Sequence, residues 1–316
     1  RIFWTVAMVD ASVLAMPNCH RMSLPPVYDL KPLVSMRVMT TSGTATTASG
    51  RDLAGRRPRM GRRHLFLLKE LVKRDFQGRY AGSVLGFVWS FVQPLWTLVL
   101  YYFVFSTILQ LSPLGERTGN FAFFLFAGLL PWLAVHEGIL RGATAITDSA
   151  ALVKKLSFPS EVLVLAVILA ALVHEAIAAG LFLAVLAMAG ELSLGSLPVL
   201  LVALPLQVAL TLGLALLLAA VNVFFRDVSQ LLGMVLNAWF FLTPIVYPLA
   251  LVPERFRGWV ELNPLTALVG LYRHALFGPV GRWPGGVAAL CGTAVVVLSV
   301  GWWTFRRLKP HFVDEM

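Results

Sequence analysis

His136, Glu137, His174, Glu175 and Gln207 lie inside otherwise apolar stretches of this chain. Polar groups are costly in such surroundings and usually face one another across packed helices. Paired His and carboxylate groups could relay a proton. They could also simply hydrogen-bond one helix to the next. The acidic groups do not align across several apolar stretches, so helix-to-helix bonding is the preferred reading. A second cluster is basic. Lys154 and Lys155 lie between Leu152, Val153, Leu156 and Phe158, and Pro159 follows. Proline suits the first turn of a helix, where its missing N–H does no harm. The segment therefore predicts a short helix with an apolar face, followed by a longer one. Such a helix can dock into a groove on a soluble partner. It can equally be a membrane-surface loop with charge-anchoring lysines, and on spacing alone the two readings stand level.

Aromatic residues form the third candidate. Trp89, Gln93, Trp96, Leu100 and Phe103 recur at helical steps, with Phe121, Phe124 and Trp132 in the next apolar block. Aromatic faces can stack on the apolar C–H faces of sugars. Lipid-belt anchoring and bundle packing account for most membrane aromatics, and residue by residue they are the stronger explanation here. Catalytic patterns are missing. There is no G-x-x-x-x-G-K-[ST] phosphate loop, H-E-x-x-H pair, nucleophile elbow or metal-ligand spacing. The chain carries no enzyme signature and calls for no metal or cofactor of its own.

The elements that position these residues follow from hydropathy. The 316 residues are 58% hydrophobic and only 13% charged. A soluble domain is about 25% charged. Repeated helix-length apolar blocks indicate an all-α membrane bundle rather than a β-barrel of alternating strands. Six transmembrane helices are expected near 84–109, 121–141, 161–189, 197–224, 229–250 and 285–305. Leu265 to Phe277 is apolar but short, and a re-entrant or interfacial pair of short helices is expected between spans five and six. His64 to Gln77 reads as an amphipathic helix. Leu65, Leu68, Leu71, Val72 and Phe76 share one face; Lys69, Glu70, Lys73, Arg74 and Gln77 share the other. A basic amphipathic helix preceding a span suits the membrane interface. The chain divides into 1–59, read as a disordered or non-native extension, 60–83, the interface helix, and 84–316, the transmembrane domain.

The net charge of +10 fits loops facing anionic lipid better than nucleic-acid binding. With the N-terminus cytoplasmic, that side receives every Lys and Arg from Arg51 to Arg79, and Arg141, Lys154, Lys155, Arg226, Arg306, Arg307 and Lys309. The other side receives Arg117, Arg255, Arg257, Arg273 and Arg282. The bias agrees with six spans and two cytoplasmic termini. Pro94, Pro131, Pro205, Pro244 and Pro248 lie in or beside spans, where they free carbonyls and permit kinks. Cys19 and Cys291 support neither a disulfide framework nor a thiolate metal site.

Several motifs in register carry a family resemblance. They are LVKRDFQGRYAGSVLGFVWSFVQPLWTLVLYYFVFS, FLFAGLLPW, LVKKLSFPSEVL, NVFFRDVSQLL, TPIVYP, LNPLTALVGLYRHALFG and LKPHF. Together, over about residues 63–316, they resemble the ABC-2-type permeases that export polysaccharides and polyol phosphates, among them O-antigen, capsule and teichoic acid exporters. The resemblance implies a multi-pass protein of the bacterial inner membrane that acts as a homodimer with two cytosolic ATPase subunits. Those partners would bind ATP and Mg and drive a lipid-linked glycan outward. Leu152, Val153, Lys154, Lys155, Leu156, Phe158 and Pro159 match the coupling helix, which favours partner docking for that loop. Phe225, Arg226 and Asp227 sit at a second cytoplasmic turn. Lys69, Lys73, Arg74, Arg79 and Tyr80 match the gate helix. Pro244, Tyr247, Pro248, Asn263, Pro264, Tyr272 and Arg273 match the outer gate. Trp89, Gln93, Trp96, Phe103, Phe124 and Trp132 become candidates for the substrate path. A permease for a small amphiphile or drug, or an ion-coupled secondary transporter, is the alternative.

Overall fold

A computed structural model describes residues 60–78, 83, 85–113, 118–155, 159–278 and 286–315. The extension at 1–59 lies outside the described residues, as do Arg79, Tyr80, Leu156 and Phe158. Among the described residues every regular element is helical. Helix α1 is Met60–Gly78. Leu71, Val72 and Phe76 on it are half-buried, and Lys69, Glu70, Lys73, Arg74 and Gln77 are exposed, as the 3.6-residue period requires. Gly86, at φ 46°, sits in the left-handed region open to glycine and turns the chain into the first span.

The span helices are α2 Trp89–Tyr101, α3 Phe121–Asp148, α5 Glu161–Ala189, α6 Leu200–Phe224 and α10 Val287–Leu308. With the tight or wide turns that extend some of them, these five are long and apolar enough to cross a membrane. A short α4, Ala150–Lys155, joins α3 to α5. Helix α7, Asp227–Leu242, is shorter. Two short helices, α8 Glu254–Leu262 and α9 Pro264–Phe277, precede α10. A terminal turn, α11 Phe312–Glu315, ends the chain.

Two boundaries differ from the sequence reading. The second span runs on to Asp148 rather than ending near 141. The fifth stops at Leu242 instead of reaching 250, because Thr243 precedes Pro244 and turns extended at ψ 135°. A residue before proline is pushed out of the helical region. The sixteen residues of α7 cover about 24 Å at 1.5 Å each.

Helix α3 is the hub: its most apolar window is 78% buried, against 17% for the first and last spans. It packs on α5, α6, α7 and α9. Small residues allow this. A Cβ on Gly138 would come within 2.7 Å of the Thr211 side chain, and one on Gly142 within 2.8 Å of the Ala215 Cβ. Helices α6 and α10 come closer still: a Cβ on Gly301 would lie 2.0 Å from the Gly213 carbonyl oxygen. Backbones that touch in this way gain dispersion contact where lipid supplies no hydrophobic drive between helices. At the C-terminus Phe312 is 1% exposed, packed against Phe305 at 5.3 Å and Phe224 at 6.3 Å between ring centres. Lys309 reaches Glu161 at 2.8 Å. The LKPHF motif is thus a plug that ties α10 to the start of α5.

Candidate functional site

Chain direction separates the candidate sites. Helices α3 and α5 meet at the α4 end of the bundle. Helix α9 joins the opposite end, where Ser193 N donates to the Leu276 carbonyl at 2.9 Å and Ser196 Oγ to that of Gly278 at 2.7 Å.

At the α4 end, Leu152 N and Val153 N both donate to the Ser149 carbonyl, which starts the short helix. Leu152 and Val153 are half-buried and Lys154 is exposed. The helix therefore leans apolar residues on the bundle and shows charge outward. Pro159 lies just before α5. Phe225 is 68% exposed at the α6–α7 turn, beside exposed Arg226 and Asp227. A large apolar ring held out at a turn, next to charge, suits a protein contact.

Between α1, the end of α3 and the start of α5 lies a cavity of about 290 Å³, lined by Arg74, Asp75, Arg141, Thr144, Asp148 and Ser149 among others. Arg141 bridges two helices there. It donates to Asp75 of α1 through both terminal nitrogens, one at 3.0 Å, and to Glu137 on its own helix at 3.1 Å. This fork fixes α1 to α3. Sequence reasoning counted Arg141 only as a topological charge. Its i,i+4 spacing from Glu137 was the available signal.

The aromatic candidates divide into two groups. Trp96 is 65% exposed and Phe103 54%, with Trp89 and Gln93 exposed on the same side of α2. The opposite side, Ser90, Pro94, Leu98 and Tyr101, is buried. Phe124 and Trp132 of α3 are instead inside the bundle, at 0% and 5% exposure. Trp132 stacks near His136 and Phe240. The structure does not bring the two groups together.

Of the outer-gate candidates, Arg273 meets Pro244 directly, and Asn263 bonds to the neighbouring Thr243. Arg273 Nη1 and Nη2 donate to the carbonyls of Pro244 and Ile245, each at 2.8 Å, and its Nε donates to that of Phe124 at 3.3 Å. The guanidinium lies 3.5 Å over the Phe124 ring. Gly128 makes room, since a Cβ there would stand 2.9 Å from Nη2. The carbonyls released by the Thr243–Pro244 break thus gain a cationic donor. Asn263 completes the knot. Its Oδ1 caps Leu265 N at 3.1 Å and accepts from Trp239 Nε1 at 3.0 Å, and its Nδ2 donates to Thr243 Oγ1 at 2.9 Å. Pro264 takes the first turn of α9. Tyr247 OH donates to the Phe241 carbonyl at 3.0 Å, and Pro248 leads into the turn before α8.

Tyr272 points away from this knot. Its hydroxyl meets Glu175 Oε1 at 2.7 Å and also Gln207 Oε1, while Gln207 Nε2 donates to Glu175 Oε2 at 2.7 Å. The other acidic candidate, Glu137, belongs to the Arg141 fork. The polar residues of the spans are thus drawn into separate local contacts. Among the described residues no cluster of three metal-ligating side chains occurs.

Membrane-length helices around a buried hub, a basic helix bonded to one end and a proline-broken helix pair at the other make a multi-pass helical membrane protein. The chain belongs to the ABC-2 type transporter family, whose model matches residues 67–277. It is 32% identical to the O-antigen export system permease protein RfbA of Myxococcus xanthus, over 79% of this chain and 95% of that protein. It is 27% identical to the protein of the same name from Klebsiella pneumoniae, over 78% of this chain and 94% of that one. It is also 25% identical to the polysialic acid transport protein KpsM of Escherichia coli, over 66% of this chain and 80% of that protein.

Proposed function

We propose that this chain is the permease subunit of an ABC exporter that moves a lipid-linked polysaccharide, or a polyol phosphate polymer, out across the bacterial inner membrane. Its likeness to polysaccharide export permeases, over 95% of the Myxococcus xanthus protein and 80% of KpsM, carries this reading above the drug and ion-coupled alternatives. Helix α7 counts as the sixth crossing, which puts both termini in the cytoplasm in agreement with the Lys and Arg bias. Helices α8 and α9 are the outer gate, and α1 is the cytoplasmic entrance.

Two copies form the conduit, and the exposed aromatic face of α2 is turned toward it. Face-on aromatic rings suit the apolar faces of sugars, and weak repeated contacts suit a polymer that must keep moving. Two ATPase subunits dock on Leu152 to Pro159 and on the Phe225 turn, and hold the ATP and Mg. Closure of the ATPases pushes α4, and α3 and α5 carry the movement inward. Depletion of this protein, followed by mass spectrometry of membrane lipids, tests the reading. A lipid-linked polymer should accumulate on the cytoplasmic leaflet. An unchanged lipid-linked pool together with a lost drug efflux would overturn it.

A further inference from the structure

The buried ring formed by Glu175, Gln207 and Tyr272 can be counted in hydrogens. Glu175 lies midway along α5, Gln207 on α6 and Tyr272 on α9, with exposures of 6%, 1% and 3%. Three contacts close the ring. Glu175 Oε1 meets Tyr272 OH, Tyr272 OH meets the Gln207 amide, and the other end of that amide meets Glu175 Oε2. Each contact requires one hydrogen between its two heavy atoms. Tyr272 has a single hydroxyl hydrogen. Gln207 can donate from one end of its amide only, because the other end is a carbonyl. An ionised carboxylate donates nothing. Two hydrogens would then serve three contacts, and two oxygens would face each other unshielded in a dry interior. Turning the Gln207 amide over does not help, for it only moves the deficit from one edge of the ring to another.

We infer that Glu175 carries a proton, and that this third hydrogen closes a ring fixing α9 to α5 and α6. The protonated acid donates to Tyr272, Tyr272 donates to Gln207, and Gln207 donates back to the acid. Each of the three contacts in the ring then has its one hydrogen. Among the described residues, the hydrogen bonds of Glu175 go to Tyr272 and Gln207 and not to a lysine or arginine. Arg273 of α9 is bonded at Phe124, Pro244 and Ile245, and Arg141 of α3 at Asp75 and Glu137. Other titratable groups on the packed helices are His136, Glu137 and Asp148 of α3, Glu161 and His174 of α5 and His274 of α9. A complete network rigidifies, whereas one lacking a hydrogen leaves buried polar atoms unpaired. Glu175 is thus a positioning residue for α9. The inference stands whatever the chain transports.

The test uses the full chain in lipid nanodiscs. Infrared difference spectra between wild type and Glu175→Gln should show a carboxylic-acid C=O band, shifted in heavy water, that the variant lacks. A carboxylate doublet in its place would overturn the inference. The second readout is thermal. Glutamine at 175 supplies the missing hydrogen from its own amide, so Glu175→Gln should melt with the wild type. Glu175→Ala and Tyr272→Phe each break the ring and should melt lower. A Glu175→Gln protein that misfolds, or melts as low as Glu175→Ala, would equally overturn it, because charge and not the count of hydrogens would then hold the site.

Discussion

Replacing Arg273 by lysine keeps the charge and removes the fork. The guanidinium spans the carbonyls of Pro244 and Ile245 at 2.8 Å each and that of Phe124 at 3.3 Å, and lies 3.5 Å over the Phe124 ring. A lysine ammonium is a compact point charge that cannot bond both carbonyls in the same planar geometry. One carbonyl of the proline break is then left without its donor, at a cost of about 1–3 kcal/mol. The ring contact adds roughly 0.5–2 kcal/mol where it is sheltered from water. The two losses together come to about 1.5–5 kcal/mol, and the melting midpoint of the full chain in nanodiscs should fall by about 3 °C or more. Arg255→Lys is the comparison, since Arg255 lies 4.6 Å over Phe256 on an exposed surface. That variant should stay within about 0.5 kcal/mol of wild type. The argument fails if the two lysine variants melt together, because Arg273 would then be no more than another surface cation.

Other expectations follow from packing and exposure. Gly301→Ala puts a methyl 2.0 Å from the Gly213 oxygen, whereas Gly292→Ala on the same helix meets nothing within 4 Å; the first should lose about 1–3 kcal/mol in thermal unfolding and the second almost nothing. Trp132→Ala, in the bundle, should cost about 3–5 kcal/mol. Trp96→Ala, at 65% exposure, should leave the melting curve unchanged and reduce export in a cell-surface glycan assay. Replacing Lys155 and Phe158 together by Asp should abolish co-purification of the ATPase while the permease still inserts. A tight, ATPase-competent complex from that variant would remove the coupling role from this loop.

Much of the fold was legible because lipid imposes simple demands. The 161–189 span was readable to the residue, since α5 is apolar apart from Glu161, His174 and Glu175 and ends at Gly190 in a left-handed cap. Helix α1 showed its period because only one of its faces is covered. Helix α7 was overextended even though Thr243–Pro244 was visible, because hydropathy continues past the point where the backbone breaks. Among the aromatics, apolarity could not separate Trp96 from Trp132. A lipid-facing or conduit-facing ring and a core ring have the same composition, and only the helix neighbours distinguish them. The ring of Glu175, Gln207 and Tyr272 joins residues 32, 65 and 97 positions apart. Local spacing carries no trace of such a pairing, although each member was conspicuous as a polar residue in an apolar or gate segment. The Gly213–Gly301 contact is hidden for the same reason, one glycine on each of two distant helices.

The most direct measurement is transport by the permease co-purified with its ATPase and reconstituted into vesicles that carry the organism's own lipid-linked glycan in the ATPase-side leaflet. ATP with Mg should move the glycan to the opposite leaflet, where a membrane-impermeant glycosidase or lectin reaches it, and vanadate should stop the movement. Glycan that stays put with ATP, or that crosses on a proton gradient with the ATPase removed, would contradict the account.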